Sequence, residues 1–102
     1  VTQYILSEDA DRDLDGIWDF IAADNIDAAD QWIGRLFDAF DAIGSTPGIG
    51  HKRDDLTTFP VLFWPVGAHL VIYRVTSRPI EIVAVTQGAR DIPAFLHRRF
   101  SL

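Results

Sequence analysis

The sequence predicts an α+β fold: an N-terminal strand, an antiparallel two-helix hairpin packed on a small antiparallel sheet with a three-strand meander, and a short C-terminal helix. Three observations predict it. Apolar residues recur at helical spacing through the first half of the chain, β-like apolar runs with very short links fill most of the second, and Gly or Pro marks the main junctions.

TQYIL reads as a short first strand. Ser7 followed by Glu8 and Asp9 is a helix start, a cap residue with acids favoured by the dipole at that end. Ala10, Leu14, Ile17, Trp18 and Ile21 then share one helical face, and Asp11, Asp15 and Asp19 line another. A second helix is expected from about Asn25–Asp27 to Ile43, with Ala29, Trp32, Ile33, Leu36, Phe37, Phe40 and Ile43 as its apolar stripe and Gly44 placed to end it. The short polar link ADNID makes the two helices antiparallel neighbours. Burial of Trp18, Trp32, Phe37 and Phe40 is expected to stabilise the hairpin by roughly 1.5–3 kcal/mol each.

STPGIGH is a loop by its Pro and Gly residues, and KRDDLTT after it is polar. The runs FPVLFW, AHLVIYRV and IEIVAV follow, separated by PVG and TSRP, links that favour an antiparallel meander. Pro60 and Pro65 flank the first run and cannot donate ladder hydrogen bonds, which puts that strand at a sheet edge. The third run is apolar enough for both of its faces to be covered. QGARDIP then punctuates: Gly88 turns the chain, Asp91 caps a helix and Pro93 fits its first turn, so DIPAFLHRRF is expected to be a short helix held by packing.

At 102 residues and 48% apolar, the chain is expected to be one folded domain. Cysteine is absent, which excludes disulfides and thiolate metal sites. The longest apolar stretches are too short and too proline-broken to span a bilayer and the start lacks a signal-peptide layout, so the expected location is the cytoplasm, with no membrane contact. The net charge of −6 divides unevenly. Residues 1–50 carry two bases against eleven acids, a balance of −9, and residues 51–102 carry seven bases against four acids, a balance of +3. Contact with an anionic surface therefore belongs to the second half, while the total disfavours general nucleic-acid binding.

Few residues suggest chemistry. His51, His69 and His97 are far apart, no pair has metal-ligand spacing, and no Gly-x-Ser-x-Gly elbow occurs, so neither a metal nor another cofactor is expected. GIGHKR lacks the spacing of a phosphate loop. Lys52, Arg53, His69, Arg74 and Arg90 are the residue types that a metal-free nuclease needs, but their spacing says nothing of their geometry. Arg90 has two open readings: an ion pair with Asp91 or another acid, or a binding role. Arg74 can merely cover the sheet with its stem.

The order of elements, with DLDGIWDFIAADNIDAADQW, STPGIGHKR, LVIYRV and VTQGARDIPAFL, resembles the ParE-like branch of the RelE/ParE toxin superfamily along essentially the whole chain. The most specific parts are the Ile-Trp-Asp-Phe-Ile-Ala helix, the Pro-Gly-Ile-Gly loop at 47–50, Tyr73-Arg74-Val75 in a strand and Gly88-Ala89-Arg90-Asp91 after the last strand. The resemblance implies a small bacterial toxin encoded beside a ParD-like antitoxin, with a part in plasmid or chromosome stabilisation. ParE-like members are implied to inhibit DNA gyrase, RelE-like members to cut messenger RNA on the ribosome.

RelE-like members share an Arg at the place of Arg90, but they commonly carry a second Arg near His69 and a terminal Tyr or His where this chain has Phe95 and Leu96, with His97 on the terminal helix the residue that could substitute as acid or base. The expectation is therefore binding rather than catalysis, with no catalytic residue assigned. Arg74, Arg90, Phe95, Arg98 and Arg99 are expected to form the target-binding surface, touching gyrase directly and DNA only through gyrase or the antitoxin. The antitoxin is expected along the groove of the helical hairpin and as an added strand on the Pro-flanked edge near Trp64, a residue whose other open reading is ordinary core. The alternatives are a ribosome-dependent mRNA endonuclease and a non-toxic member that binds its antitoxin and regulates the operon.

Overall fold

The computed structural model describes residues 3–76 and 78–100. Strand β1, Tyr4–Leu6, leads straight into α1, Glu8–Ala22, through Ser7. The Ser7 hydroxyl accepts from the Ala10 N–H at 3.0 Å, and its own amide donates to Ile82 C=O at 3.0 Å, so one residue caps the helix and ties it to the sheet. Asn25 caps α2, Ile26–Ser45, by accepting from the Ala28 N–H at 2.9 Å. Trp18 Nε1 donates to Asp30 Oδ1 at 2.8 Å and links the two helices as an antiparallel hairpin.

Gly44 does not end α2. It lies inside the helix, buried, where a Cβ would come 2.9 Å from Gln3 Cβ. Its role is the close approach of the chain entering β1, and the helix runs one residue further to Ser45.

A 3₁₀ turn at Pro47–Ile49 follows, then β2 (Val61–Val66), β3 (His69–Arg74), β4 (Ile80–Gln87) and α3 (Ile92–Phe100). Strands β2, β3 and β4 form the expected antiparallel meander. The first strand does not stand apart from it: β1 pairs parallel to β4, Tyr4 opposite Ile80 and Leu6 opposite Ile82, so the sheet has four strands in the order β1-β4-β3-β2 and is mixed. At the β2–β3 turn Gly67 has φ +57°, and a Cβ there would stand 2.5 Å from the Trp32 ring, so both conformation and space require glycine.

β2 is an edge strand, as its prolines predict, although it starts at Val61 and takes Pro65 inside. The edge is not open along its length. His51 N–H donates to Phe63 C=O at 2.8 Å and Phe63 N–H donates to His51 C=O at 2.9 Å, and Pro65 has no N–H to offer. The loop that carries His51 is fixed from beneath: the Tyr73 hydroxyl donates to Pro47 C=O at 2.6 Å and accepts from Gly50 N–H at 2.8 Å.

The sheet separates two apolar clusters. Leu14, Leu36, Phe40 and Ile43 of the hairpin pack on Val71, Tyr73, Ile80 and Ile82. Ile92, Phe95 and Leu96 of α3 pack on Val61, Phe63, Ile72, Val83 and Ala84. Both faces of β4 are thus covered, as its sequence predicts. The aromatic stripe of the hairpin is less uniform than expected. Phe40 is fully buried and Trp18 and Trp32 half-buried, whereas Phe37 stays 37% exposed at the rim, its ring edge-on to Phe40. Among the described residues no helix is long and apolar enough to cross a membrane.

Candidate functional site

Because β1 stops at Leu6, opposite Ile82, the outer edge of β4 has no strand partner beyond that point among the described residues. Side chains from two helices take its place. Val85 N–H donates to Asp13 Oδ2 at 2.9 Å, and Val83 C=O accepts from Arg99 Nη1 at 3.1 Å and from Ser7 Oγ at 3.3 Å. Asp13 on α1 and Arg99 on α3 also bond each other twice, Nη2 to Oδ1 at 3.0 Å and Nη1 to Oδ2 at 3.2 Å, with only 17% and 16% of their side chains exposed. This bidentate pair fixes α1, β4 and α3 together. Arg99, expected on a free binding surface, is therefore committed inside the fold.

Phe95 is likewise not a surface anchor. It is 5% exposed, and the guanidinium groups of Arg90 and Arg99 stack on its ring at 4.5 and 4.7 Å. The ion pair between Arg90 and Asp91 is not formed. Asp91 caps α3 by accepting from Ala94 N–H at 3.2 Å, and Arg90 Nη1 donates to the buried Thr86 hydroxyl at 3.3 Å. Arg90, Arg98 and Arg99 border one depression of about 400 Å³ with Asp9 at its rim. Asp9 lies 3.9 Å from Arg99; among the described residues no carboxylate comes within 4 Å of Arg90 or Arg98.

The other residues singled out in the sequence lie elsewhere. Arg74 pairs across from Glu81, at the far end of the strands from Arg90, and its guanidinium stands over Phe100 at 5.4 Å. Trp64 sits on β2, the opposite side of the sheet, half-buried with its ring stacked on His51 at 6.3 Å. Lys52 and Arg53 face Asp54 and Asp55 at 3.8 and 2.7 Å. His97 is exposed on α3. Of the nuclease-type residues, His69 and Arg90 share a cleft. Burial lowers the His69 pKa below its ordinary 6.5, and its Nδ1 has no hydrogen-bond partner among the described residues.

That cleft, about 530 Å³, runs between α1 (Gly16, Ile17, Phe20) and the end of β4 (Val85, Thr86, Gln87), and it joins the basic depression at Arg90. Sequence reasoning missed it along with Asp13, Thr86 and Phe20. One signal was present: Phe20 falls off the apolar face of α1 and is 79% exposed, next to a helix-interior glycine, Gly16, that has open space where a side chain would be.

Residues 4–92 match the family model described as "ParE toxin of type II toxin-antitoxin system, parDE". The chain belongs to the ParE toxin family. The ParE match takes in every strand, the hairpin and Arg90, and ends at the first residue of α3. The fold is similar to that of a chain in the structure titled "Chromosomal ParDE TA system from P. aeruginosa", with a TM-score of 0.70 over 82% of this chain and 92% of that one, at 16% identity. No curated protein matches the chain.

Proposed function

We propose that this ParE-family chain is the toxin of a bacterial type II pair, that it stops growth by binding DNA gyrase in the cytoplasm, and that a cognate ParD-like antitoxin neutralises it. The observation that carries the reading is the depression at the β4–α3 corner. On a chain of net charge −6 it offers Arg90 and Arg98 without a carboxylate partner among the described residues, with Arg90 held in place by Phe95 and Thr86. Unneutralised arginines on a rigid frame suit capture of an acidic or phosphate-bearing surface. DNA is then met only through gyrase or the antitoxin.

The test is Arg90→Glu with Arg98→Glu in a folded double variant. Growth arrest and inhibition of gyrase supercoiling should both be lost, and unaltered arrest would end the proposal. Arg99 is left in place, because its replacement would loosen α3 and confuse folding with function.

The antitoxin is proposed to lie along the helical hairpin and to reach Trp64 by side-chain packing, since His51 and Pro65 leave little of the β2 edge for a new strand. Slowed amide exchange should therefore spare residues 59–66 in the complex; strong protection there would restore strand addition at that edge.

A second reading rests on His69 and Arg90 lining one cleft. A neutral imidazole beside a guanidinium is a base beside a cation, as a ribosome-dependent nuclease requires. Ribosome-dependent mRNA cleavage that disappears in His69→Ala would favour it. A chain that binds its antitoxin yet leaves growth intact on expression would instead be a regulatory, non-toxic member.

A further inference from the structure

We propose that the cleft between α1 and the free end of β4 seats an extended acidic segment of a partner polypeptide, added as a short strand parallel to β4 and in line with β1. The inference rests on reading the chain as a partner-binding protein, though not on gyrase being the partner.

Outward-facing backbone groups determine the geometry. Strand alternation turns residues 85 and 87 away from β3. Asp13 already takes the Val85 N–H and the Arg90 amide takes the Gln87 C=O at 3.2 Å, which leaves the Val85 C=O and the Gln87 N–H without a partner among the described residues. An antiparallel guest could reach both groups only through two of its residues, one on each side of the residue opposite Thr86. A parallel guest uses the C=O of one residue and the N–H of the next but one, so a single guest residue opposite Thr86 satisfies both groups. This is the direction in which β1 already pairs.

The same register assigns the guest's chemistry. Val85 belongs to the hairpin face and Thr86 to the α3 face, where its hydroxyl holds Arg90. The guest side chain opposite Thr86 thus points toward Arg90 and Arg98 and should be acidic. Its neighbours point toward Ile17 and Phe20 and should be apolar. Gly16 keeps that wall open, and the exposed Phe20 ring supplies an apolar contact. A nucleic-acid strand would use the arginines but would leave the apolar wall and the paired backbone groups unexplained. Polypeptide addition uses all three.

The probe is an acetylated, amidated eight-residue peptide of alternating Val and Glu, titrated into the isotope-labelled full chain and followed by NMR. The Gln87 amide should shift in a saturable way. Replacing Glu by Lys, N-methylating the central Glu, or filling the cleft with Gly16→Phe should each weaken binding roughly tenfold or more, the scale of one lost charge-assisted or backbone contact. Gly16→Phe should keep its melting temperature, since its Cβ enters open space. An unmoved Gln87 amide would overturn the proposal, as would indifference to N-methylation. So would displacement of the peptide by a single-stranded oligothymidine that binds the arginines more tightly. Failure of the peptide to bind an unsubstituted chain that still arrests growth would sink this inference and leave the toxin reading intact; peptide binding by a chain that does not arrest growth would do the reverse.

Discussion

Asp13 and Arg99 meet from opposite ends of the chain, and each supplies what the other lacks. The carboxylate accepts from a strand amide as well as from the guanidinium, and the guanidinium also donates to a strand carbonyl. Removing one partner strands the other in a mostly dry place. Asp13→Ala should therefore cost about 3 kcal/mol, near the low end for a broken buried pair because a little solvent still reaches both groups. Urea unfolding checks this; a loss as small as that of an exposed pair would mean that α3 holds without it. His69 gives the residue-scale dependence on pH. Its folded pKa lies below the ordinary 6.5, so the unfolded chain binds the proton more readily. Its stabilising contribution is whole above about pH 6.5 and declines as the pH falls below that value. His69→Phe, which keeps a ring against Trp32, should shrink the drop in melting temperature between about pH 7.5 and pH 5.5.

At the scale of elements, α2 shows how burial grades a stripe that periodicity treats as uniform. Phe40 touches Tyr4 and Phe37 and is closed off from solvent, so Phe40→Ala should cost about 3–5 kcal/mol. Phe37→Ala, which the sequence ranks equal, should cost only about 1–2 kcal/mol because the ring keeps water on one side. Equal losses would mean that Phe37 is covered in solution. Helices and meander strands were legible because their signals are local: Ser7 caps as written, the second helix starts within the expected Asn25–Asp27, and Pro60 and Pro65 marked the edge strand. The pairing of β1 was not legible. Nothing in TQYIL names its neighbour, and the choice of β4 is made by a tertiary contact. Gly44 misled for the same reason, since a helix-ending glycine and a glycine crowded by Gln3 look alike in one dimension.

For the molecule as a whole, the split between an acidic first half and a basic second half survives folding only in part. Arg12, Lys52, Arg53 and Arg99 face acids within 4 Å, and Arg35 and Arg74 lie over aromatic rings. What the sequence presents as seven cations in its second half becomes, at the candidate site, Arg90 and Arg98. Those two were legible as residue types. Asp13, one of eleven acids in the first half, was not, because the residue that distinguishes it lies 86 positions away. Charge reversal of Arg90 and Arg98 should accordingly abolish arrest without the loss of stability expected for Asp13→Ala, a contrast that one melting curve per variant would establish.

The parallel pairing of Tyr4–Leu6 with Ile80–Ile82 also sets an order of events during synthesis. The first strand leaves the ribosome long before the segment it must lie against, and Arg99, which closes the corner, comes later still. While translation continues, the hairpin can form but has no finished sheet beneath it, and the arginine pocket does not yet exist. Any harmful activity of that pocket is thereby withheld from the nascent chain and begins only once nearly all of the polypeptide is free to close upon itself.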